Sequence, residues 1–439
     1  HTTLSDGKVL VAGGHQPGGG EVGVNISYLF DPGNNSWTRV GDMSFARWYP
    51  SVTRLSDDRA IVLSGQITTD VFANTPEIFN PAVNAYTSLT NINTSELHEE
   101  EYPASFHLPT GKVLSISAQF GPTKILDANS NTWTALSNNT PIIVGSAVQY
   151  RPGKILMSGG GENLDATSET RAAVLDTTEA IPVWRSVAPM SFGRYAHNLV
   201  NLPNGKGLAI GGSNTVGGQA TTGTLGAEMW NPTSEVWTLM ASLQVPRMYH
   251  SIAMLLPDGK VLAAGGGRNG PAPNQLSAQI YSPPYLFTGT RPVITNAPST
   301  ASLGNTITVD TPDAASIASI SLVSLASVTH STDMNQMYTE LGFTTGINQL
   351  TVTMPATADS TPSGYYMLFI VNGSGVPSIA KIIKLNPVPD TQPPTAPADL
   401  VATGSTSTAS LNWTASTDNV NVANYNVHRS TTPGFIPDT

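Results

Sequence analysis

The chain has 439 residues, with 30 acidic and 20 basic side chains, a net charge of −10 and no cysteine. Hydrophobic residues account for 39% and charged residues for 11%, which excludes a disordered chain, and the acidic excess argues against a nucleic-acid-binding protein. Because the sequence has no cysteine, these residues hold no disulfide, zinc–cysteine site or thiol nucleophile. No apolar run is long enough to span a membrane. The length predicts two to four domains.

One sequence pattern occurs six times between residues 6 and 266. Each copy joins a tight-turn sequence to a short apolar run, and the copies read DGKVLVAGG, DDRAIVLSG, TGKVLSISA, PGKILMSGG, NGKGLAIGG and DGKVLAAGG. The turn positions follow one another at similar intervals, at Gly7, Asp58, Gly111, Gly153, Gly205 and Gly259. Four copies continue into a second turn that is followed by an aromatic residue, in YLFDPGNNSW, EIFNPAVNAY, KILDANSNTW and EMWNPTSEVW.

This repeat predicts a small antiparallel sheet in each unit. Asp-Gly and Asn-Gly pairs favour tight hairpin turns, and the apolar run predicts a strand buried on both faces, with the later aromatic packed between units. A period of about 50 residues with four short strands is typical of a kelch-type β-propeller. We assign residues 1–290 to an N-terminally truncated propeller. We expect seven blades in the complete protein, with the first blade missing here.

The pattern changes after the last repeat. Residues 291–385 alternate like short strands and predict an immunoglobulin-like sandwich. Residues 386–395 (NPVPDTQPPT) predict a Pro-rich linker. Residues 396–439 resemble the first part of a fibronectin type III domain, with Trp413 and Tyr425 at its expected core positions. The predicted fold class is therefore all-β throughout.

Four segments that precede the inner strands of the repeats carry candidate functional residues. They are RWYP at Arg47–Pro50, LHEEEY at Leu97–Tyr102, RYAH at Arg194–His197 and RMYH at Arg247–His250. Because the repeats are related by pseudo-symmetry, we expect these segments to meet at one end of the ring, where propeller sites usually lie. The residues alone leave two interpretations open, a metal or oxidation site and ordinary packing between blades. We interpret the HEEE stretch as a solvated loop.

Several motifs resemble the galactose oxidase and glyoxal oxidase family of copper-radical oxidases. The resemblance rests on YHSIAMLLPDGKVLAAGGG, AQIYSPPYLF, ASVTHSTDMNQ and SGYYMLFIVNGSGVPSIAKIIKL, and it extends over about residues 1–386. The RWYP segment is similar to the glyoxal oxidase branch. By this resemblance one copper ion is held by Tyr49, Tyr249, His250 and His330. Tyr49 and Tyr249 are also the expected catalytic residues, with Trp48, His197 and Gln336 around them.

The resemblance also implies a thioether between Tyr49 and a cysteine, which forms a radical cofactor. No cysteine is present, and we expect it a few positions before His1. Residues 1–439 should then lack the Tyr–Cys cofactor and be inactive or very slow.

The implied reaction is oxidation of an aldehyde or a primary alcohol by O2, with release of H2O2. Met337 and Tyr338 stand where galactose-oxidising members have two arginines, which favours a glyoxal-oxidase-like substrate. The alternative is a non-catalytic extracellular kelch protein for carbohydrate binding or adhesion. In either case we expect a secreted monomer that acts on small molecules or carbohydrates. The fibronectin module would contact a polysaccharide or cell wall.

Overall fold

The computed structural model describes residues 1–16, 22–90, 92, 101–117, 122–139, 142–161, 166–216, 222–267, 274–335, 337–388, 391–418, 422 and 425–432. Two compact units are present, His1–Asn386 and Pro387–Thr439. The first unit contains both the predicted propeller and the predicted sandwich. The domain divisions inside it stay a prediction.

Six antiparallel sheets, which we number one to six, follow one another along the chain from Thr2 to Tyr281. Sheet one contains β1 (Thr2–Thr3), β2 (Val9–Ala12), β3 (Ser27–Asp31) and β4 (Ser36–Arg39). Sheet two contains β5 (Ser51–Arg54), β6 (Ala60–Leu63), β9 (Glu77–Asn80) and β10 (Ala85–Ser88), beside a ribbon of β7 (Gln66–Thr68) and β8 (Val71–Phe72). Sheet three contains β11 (Ala104–His107), β12 (Val113–Ile116), β13 (Lys124–Asp127) and β14 (Thr132–Ala135).

The remaining three sheets repeat this order. Sheet four contains β15 (Ser146–Arg151), β16 (Lys154–Ser158), β17 (Ala172–Asp176) and β18 (Arg185–Val187). Sheet five contains β19 (Asn198–Asn201), β20 (Gly207–Ile210), β21 (Gly226–Asn231) and β22 (Val236–Ser242). Sheet six contains β23 (Ser251–Leu255), β24 (Val261–Gly265) and β25 (Ala278–Tyr281). In each of the six sheets, the strand that comes first in the sequence corresponds to the inner strand of the predicted repeat.

The turn chemistry explains the repeat. All six marker residues between the first and second strands have positive φ, between 70° and 91°. Five are glycine, and Asp58 takes the same conformation at φ 70°, which short polar side chains tolerate. At the second turn the side chain of Asp or Asn accepts a hydrogen bond from the backbone two residues later, at Asp31, Asn80, Asp127 and Asn231. The predicted hairpin turns are therefore present in the described units.

Hydrophobic clusters fill the space between each pair of successive sheets. In sheets two to five the second strand is buried on both faces, whereas β2 and β24 alternate between buried and partly exposed residues. Tyr86 packs between sheets one and two as predicted, but Trp37 is 60% exposed. The prediction that Trp37 packs between two units was wrong, because the outer face of sheet one has no neighbouring sheet in the described residues. The seven-blade count stays a prediction.

A buried ion pair joins the RWYP segment to the third strand of its own sheet. Arg47 and Glu77 are both fully buried, and their closest charged atoms lie 2.9 Å apart. The Glu77 carboxylate also accepts the backbone N–H of Ser44 at 2.6 Å. Arg194 and Glu228 form the equivalent pair in sheet five, 3.1 Å apart. Arginines of these motifs therefore anchor the loops.

The remaining part of the first unit forms two facing sheets. Five strands make one sheet, in the order β26 (Thr300–Ser302), β35 (Lys381–Asn386), β34 (Gly364–Asn372), β28 (Ile317–Ser324) and β31 (Tyr338–Leu341). Three make the other, β27 (Thr306–Asp310), β33 (Gln349–Thr353) and β32 (Phe343–Thr345). A short hairpin of β29 (Val328–Thr329) and β30 (Thr332–Asp333) projects from them, and two 3-10 helices occupy Pro284–Phe287 and Ala314–Ser316. Val323 and Phe369 share a hydrophobic cluster with sheets five and six, so the two parts pack together.

In the part of the second unit that the structure describes, β36 (Ala398–Gly404) and β37 (Ala409–Thr414) form a hairpin. The rings of Trp413 and Tyr425 are 5.1 Å apart within it. The fibronectin type III assignment stays a prediction. Among the described residues there is no helix with the length and apolar character needed to cross a membrane.

Candidate metal centre

Two phenols and two imidazoles converge at the start of the inner strands. The Tyr49 hydroxyl lies 3.3 Å from the Tyr249 hydroxyl and 3.5 Å from His250 Nε2. The His330 ring centroid is 4.5 Å from those of Tyr49 and His250, and 5.5 Å from that of Tyr249. The four residues come from sheet two, sheet six and the sandwich hairpin, and they occupy one small volume.

Unusual backbone conformations place these side chains. Tyr49 has φ 60°, His250 has φ 67° and His330 has φ 50°. Positive φ is unfavourable for residues with a side chain and concentrates at functional sites. The position two residues before the inner strand has φ between 50° and 60° in sheets two to five, at Tyr49, Tyr102, Val144 and Ala196. Four sheets thus have the same backbone kink before the inner strand. The residue type at that position determines which side chain the kink places there.

Hydrogen bonds at Nδ1 fix the orientation of both imidazoles. His250 Nδ1 lies 3.0 Å from the carbonyl oxygen of Gly267, and His330 Nδ1 lies 2.8 Å from Thr329 Oγ1. A partner at Nδ1 fixes the ring and directs Nε2 to a metal, an arrangement typical of metal-binding histidines. His330 Nε2 is buried and has no hydrogen-bond partner among the described residues. Burial, with a contribution from His250, lowers the pKa of His330 to about 3, so its imidazole is neutral at neutral pH.

These donors suit copper. Two imidazole nitrogens and two phenol oxygens form the mixed nitrogen and oxygen set that Cu(II) accepts in tetragonal sites. The unpartnered Nε2 of His330 fits a metal ligand, since buried polar atoms normally have a partner. Burial, and then the hydrogen bond with Tyr49, raises the pKa of Tyr249 well above its usual range. A cation beside its oxygen would offset that effect. The described residues contain no cluster of three or more His, Cys, Asp or Glu, because this set uses tyrosine for half of its donors.

An aromatic stack surrounds Tyr49. The rings of Trp48 and Tyr102 lie 4.4 and 4.6 Å from the Tyr49 ring, at 33° and 31°. Tyr102 also stacks on His330 at 4.3 Å and 30°, and its N–H donates to the carbonyl of Tyr49. Tyr102 ends one of the candidate segments but received no predicted role, because the acidic residues before it indicated a solvated loop. Its position two residues before β11, equivalent to Tyr49 before β5, is the signal that identifies it.

We expect Tyr102→Ala to weaken copper binding by about 10-fold or more, since outer residues that orient ligands have effects of that size. The substitution removes the ring that packs on His330 and Tyr49. Tyr102→Phe keeps both ring contacts and should stay near the wild-type affinity. Competitive titration with a copper chelator measures both variants. Equal affinity of the alanine variant and the wild type would contradict the orienting role.

The other predicted site residues lie apart from this cluster or outside the described residues. His197 is fully buried, and its Nε2 is 2.9 Å from Ser158 Oγ. The preceding carbonyl, of Ala196, accepts the hydroxyl of Ser331 at 2.7 Å, so this segment contacts the His330 loop through its backbone. Gln336 lies outside the described residues. Arg47, Arg194 and Arg247 bond to their own sheets instead of the cluster.

Two buried histidines predict an acid-sensitive fold. Burial lowers the pKa of His107 to about 4, and burial together with Arg194 lowers the pKa of His197 well below 6.5. The unfolded chain therefore binds protons at these residues below about pH 6.5, where the folded chain does not. We expect the unfolding free energy to fall between about pH 6.5 and 4, by about 1.4 kcal/mol per pH unit for each histidine.

Denaturant unfolding at several pH values measures this slope. His107→Leu removes one of the two groups and should reduce the slope over the same pH range. His428→Leu changes an exposed histidine and serves as the control. A slope that stays the same in the His107 variant would contradict the assignment.

A large cavity lies elsewhere in the first unit. It has a volume of about 520 Å³ and lies at the rim of sheets four and five, where Tyr150, Lys154 and Arg185 contribute to its lining. Four of its charged side chains form ion pairs, Lys154 with Asp176 and Arg185 with Glu235. We therefore place the chemistry at the tyrosine–histidine cluster and not at the larger cleft.

Comparison with known families gives matches over most of the chain. The family model "Glyoxal oxidase N-terminus" matches residues 1–285. The model "Galactose oxidase-like, Early set domain" matches residues 291–385. The first covers the six sheets, and the second covers the two facing sheets that follow them.

Individual relatives agree with these family matches. Galactose oxidase of Gibberella zeae is 28% identical over 421 residues, 87% of this chain, and this chain covers 59% of its length. Aldehyde oxidase GLOX of Vitis pseudoreticulata is 27% identical over 443 residues, 88% of this chain and 80% of its own length. A solved structure of a fungal alcohol oxidase in complex with copper has a TM-score of 0.77 at 25% identity, covering 88% of this chain and 84% of that one.

Proposed function

The chain belongs to the glyoxal oxidase and galactose oxidase family of copper-radical oxidases, and we propose that it oxidises an aldehyde or a primary alcohol with O2. The observation that supports this most is the convergence of Tyr49, Tyr249, His250 and His330, with His330 Nε2 buried and unpartnered among the described residues. Family membership does not favour the alternative of a non-catalytic carbohydrate-binding kelch protein.

In this proposal the Nε2 atoms of His250 and His330 and the oxygens of Tyr49 and Tyr249 hold one copper ion. When bound, copper supplies one-electron redox chemistry and a positive charge. The protein contributes the preset ring orientations described above. It also contributes burial, since all four side chains are at least partly shielded from solvent.

Two tyrosines divide the proton and hydrogen transfers. Tyr249, as the phenolate that a bound copper ion would favour, would take up the hydroxyl proton of the alcohol or the aldehyde hydrate. Tyr49, as its one-electron-oxidised radical, would take up a hydrogen atom from the carbon that bears that hydroxyl, and the redox chemistry that copper supplies would account for the remaining electron. Two hydrogens leave the substrate in total, so an alcohol becomes an aldehyde, or an aldehyde hydrate becomes an acid, and O2 becomes H2O2. Trp48 and Tyr102 shield the Tyr49 ring on which this chemistry depends.

A cysteine partner for Tyr49 is part of the proposal. Residues 1–439 contain none, so a Tyr–Cys cofactor cannot form from these residues alone. We therefore expect copper binding but slow turnover by residues 1–439. The segment that starts at His1 lies near the centre, since Ser327 Oγ donates to the carbonyl of His1 at 2.8 Å and Ser327 is three residues before His330.

The substrate class and the setting are also part of the proposal. Met337 and Tyr338 are buried, and the Arg151 guanidinium lies 4.1 Å from the Tyr338 ring. We therefore favour small aldehydes or alcohols over galactose. We propose an extracellular monomer whose second unit contacts a polysaccharide or cell wall.

Peroxide release after copper loading tests the proposed reaction. The full gene product and residues 1–439 are each assayed with O2 against small aldehydes, primary alcohols and galactose. We expect H2O2 from the full gene product, loss of that activity in Tyr49→Phe, and retention in the control Tyr28→Phe, which changes a tyrosine of sheet one. No peroxide with any substrate would contradict the oxidase, and equal rates for both proteins would contradict the cysteine requirement.

A further inference from the structure

A buried guanidinium at the end of β5 has no acidic partner. Arg54 is 5% exposed, and one of its terminal nitrogens donates to the carbonyl of Ser363 at 2.5 Å. Its Nε has no hydrogen-bond partner, and no carboxylate lies within 4.0 Å among the described residues. Buried charges in proteins are normally paired. The pairs Arg47–Glu77 and Arg194–Glu228 follow that rule in the same fold.

A second unpartnered group shares a small cavity with Arg54. His107 is 7% exposed, and neither ring nitrogen makes a hydrogen bond of good geometry with a described residue. Arg54, His107 and Gln149 line a cavity of about 20 Å³, together with Met334 and Met337. Gln149 Oε1 is also unpartnered. Three polar side chains that line one space therefore each have at least one polar atom without a hydrogen-bond partner among the described residues.

The size and charge of this space define its ligand. A cavity of about 20 Å³ has room for one particle of the size of water, which excludes phosphate, sulfate and carboxylates. The Arg54 Nε–H is charged, and a neutral imidazole supplies another N–H donor. The Gln149 amide Nε2 donates to Met337 Sδ at 2.8 Å, so the donors left for a ligand are those of Arg54 and His107. We propose that this cavity binds one small monovalent anion, of which chloride is the most available.

The acidic groups nearby do not replace that anion. Asp359 lies 4.0 Å from His107 Nε2, but its side chain is 45% exposed and therefore screened by solvent. Asp57 forms an ion pair with Arg59 at 2.6 Å. The charge of Arg54 inside the cavity is thus the one that a bound anion would compensate.

The location gives the anion a structural consequence. Arg54, His107 and Gln149 belong to the inner strands of sheets two, three and four, whereas Met334 and Met337 follow β30 of the sandwich hairpin. Occupancy would link three sheets to the segment that carries His330. This inference goes beyond the proposed oxidation and does not depend on copper, so metal-free protein is used to test it.

Bromide replaces chloride as a probe that X-ray scattering identifies. Crystals of the metal-free protein grown in sodium bromide should show an anomalous peak within hydrogen-bonding distance of Arg54 Nε. In solution, the melting temperature in sodium chloride should exceed that in sodium gluconate of equal ionic strength by about 2 °C or more. A water without anomalous signal in the cavity, together with equal melting temperatures, would overturn the proposal.

Variants separate this site from general salt effects. Arg54→Met removes the charge and should abolish the chloride-dependent difference. Arg59→Met changes the exposed arginine of the same turn and should keep that difference. Should Arg54→Met fail to fold, the bromide experiment on the unmodified protein decides the question. A chloride effect of full size in a folded Arg54→Met protein would contradict the site.

Discussion

Replacement of His330 by alanine is expected to lower copper affinity by at least about 100-fold, since loss of a direct ligand exceeds the effect of outer residues. His330 contributes one of only two nitrogen donors in the cluster. Its ring is 4.5 Å from that of His250, and its Nε2 has no protein partner among the described residues. The substitution also removes the single ligand that comes from the sandwich, so the remaining three residues cannot enclose the ion.

Two measurements check this expectation. Chelator competition gives the affinity, and electron paramagnetic resonance of Cu(II) reports the number of coordinated nitrogens, which should fall from two to one. His15→Ala is the matched control, because His15 is exposed and close to Trp48 without contact to the four donors. Circular dichroism verifies the fold of both variants. A wild-type spectrum and affinity in His330→Ala would rule out His330 as a ligand.

Replacement of Glu77 by alanine is expected to lower the unfolding free energy by about 3–5 kcal/mol, the usual cost of leaving a buried charge without its partner. Glu77 compensates the charge of Arg47 and accepts backbone N–H groups of Ser44 and Phe45. Because Arg47 is two residues before Tyr49, the same change should displace the Tyr49 kink and weaken copper binding.

A double substitution distinguishes the lost charge pair from a simple cavity. Arg47→Met combined with Glu77→Leu removes both charges and should recover much of the loss. Asp42→Ala, which breaks the exposed pair of Arg39 and Asp42, should leave the denaturation midpoint unchanged. Denaturant unfolding monitored by tryptophan fluorescence compares all three. A Glu77→Ala protein as stable as the wild type would contradict the importance of the buried pair.

Local chemistry explains why the sheets were predictable. The turn at each marker needs positive φ, and glycine or a short acidic residue there is visible in the sequence as a repeat. The exposed Trp37 shows the limit of this reasoning. Its neighbours along the chain are similar to those of Tyr86, and only the presence or absence of a facing sheet determines its burial.

The repeat alone was not sufficient to predict the residues of the metal centre. Pseudo-symmetry marks Tyr49 and Tyr249 as related positions, and the family resemblance added His330. Arg47 belongs to the same candidate segment as Tyr49, but its buried guanidinium forms an ion pair with Glu77. Nothing in the local sequence distinguishes an arginine that anchors a loop from one that binds a ligand, because that depends on a carboxylate 30 residues away.

The sequence by itself determined the repeated strands, the turns between them and the residue types available to a metal, since those depend on contacts within a few residues. Only the tertiary structure decided which donors meet. His250 and His330 are distant in the chain but have adjacent rings, because the hairpin of the second sheet pair reaches the kinked starts of the inner strands. Packing between distant segments sets that distance. It also placed the unpartnered Nε of Arg54 and the unpartnered ring nitrogens of His107 at residues that line one cavity.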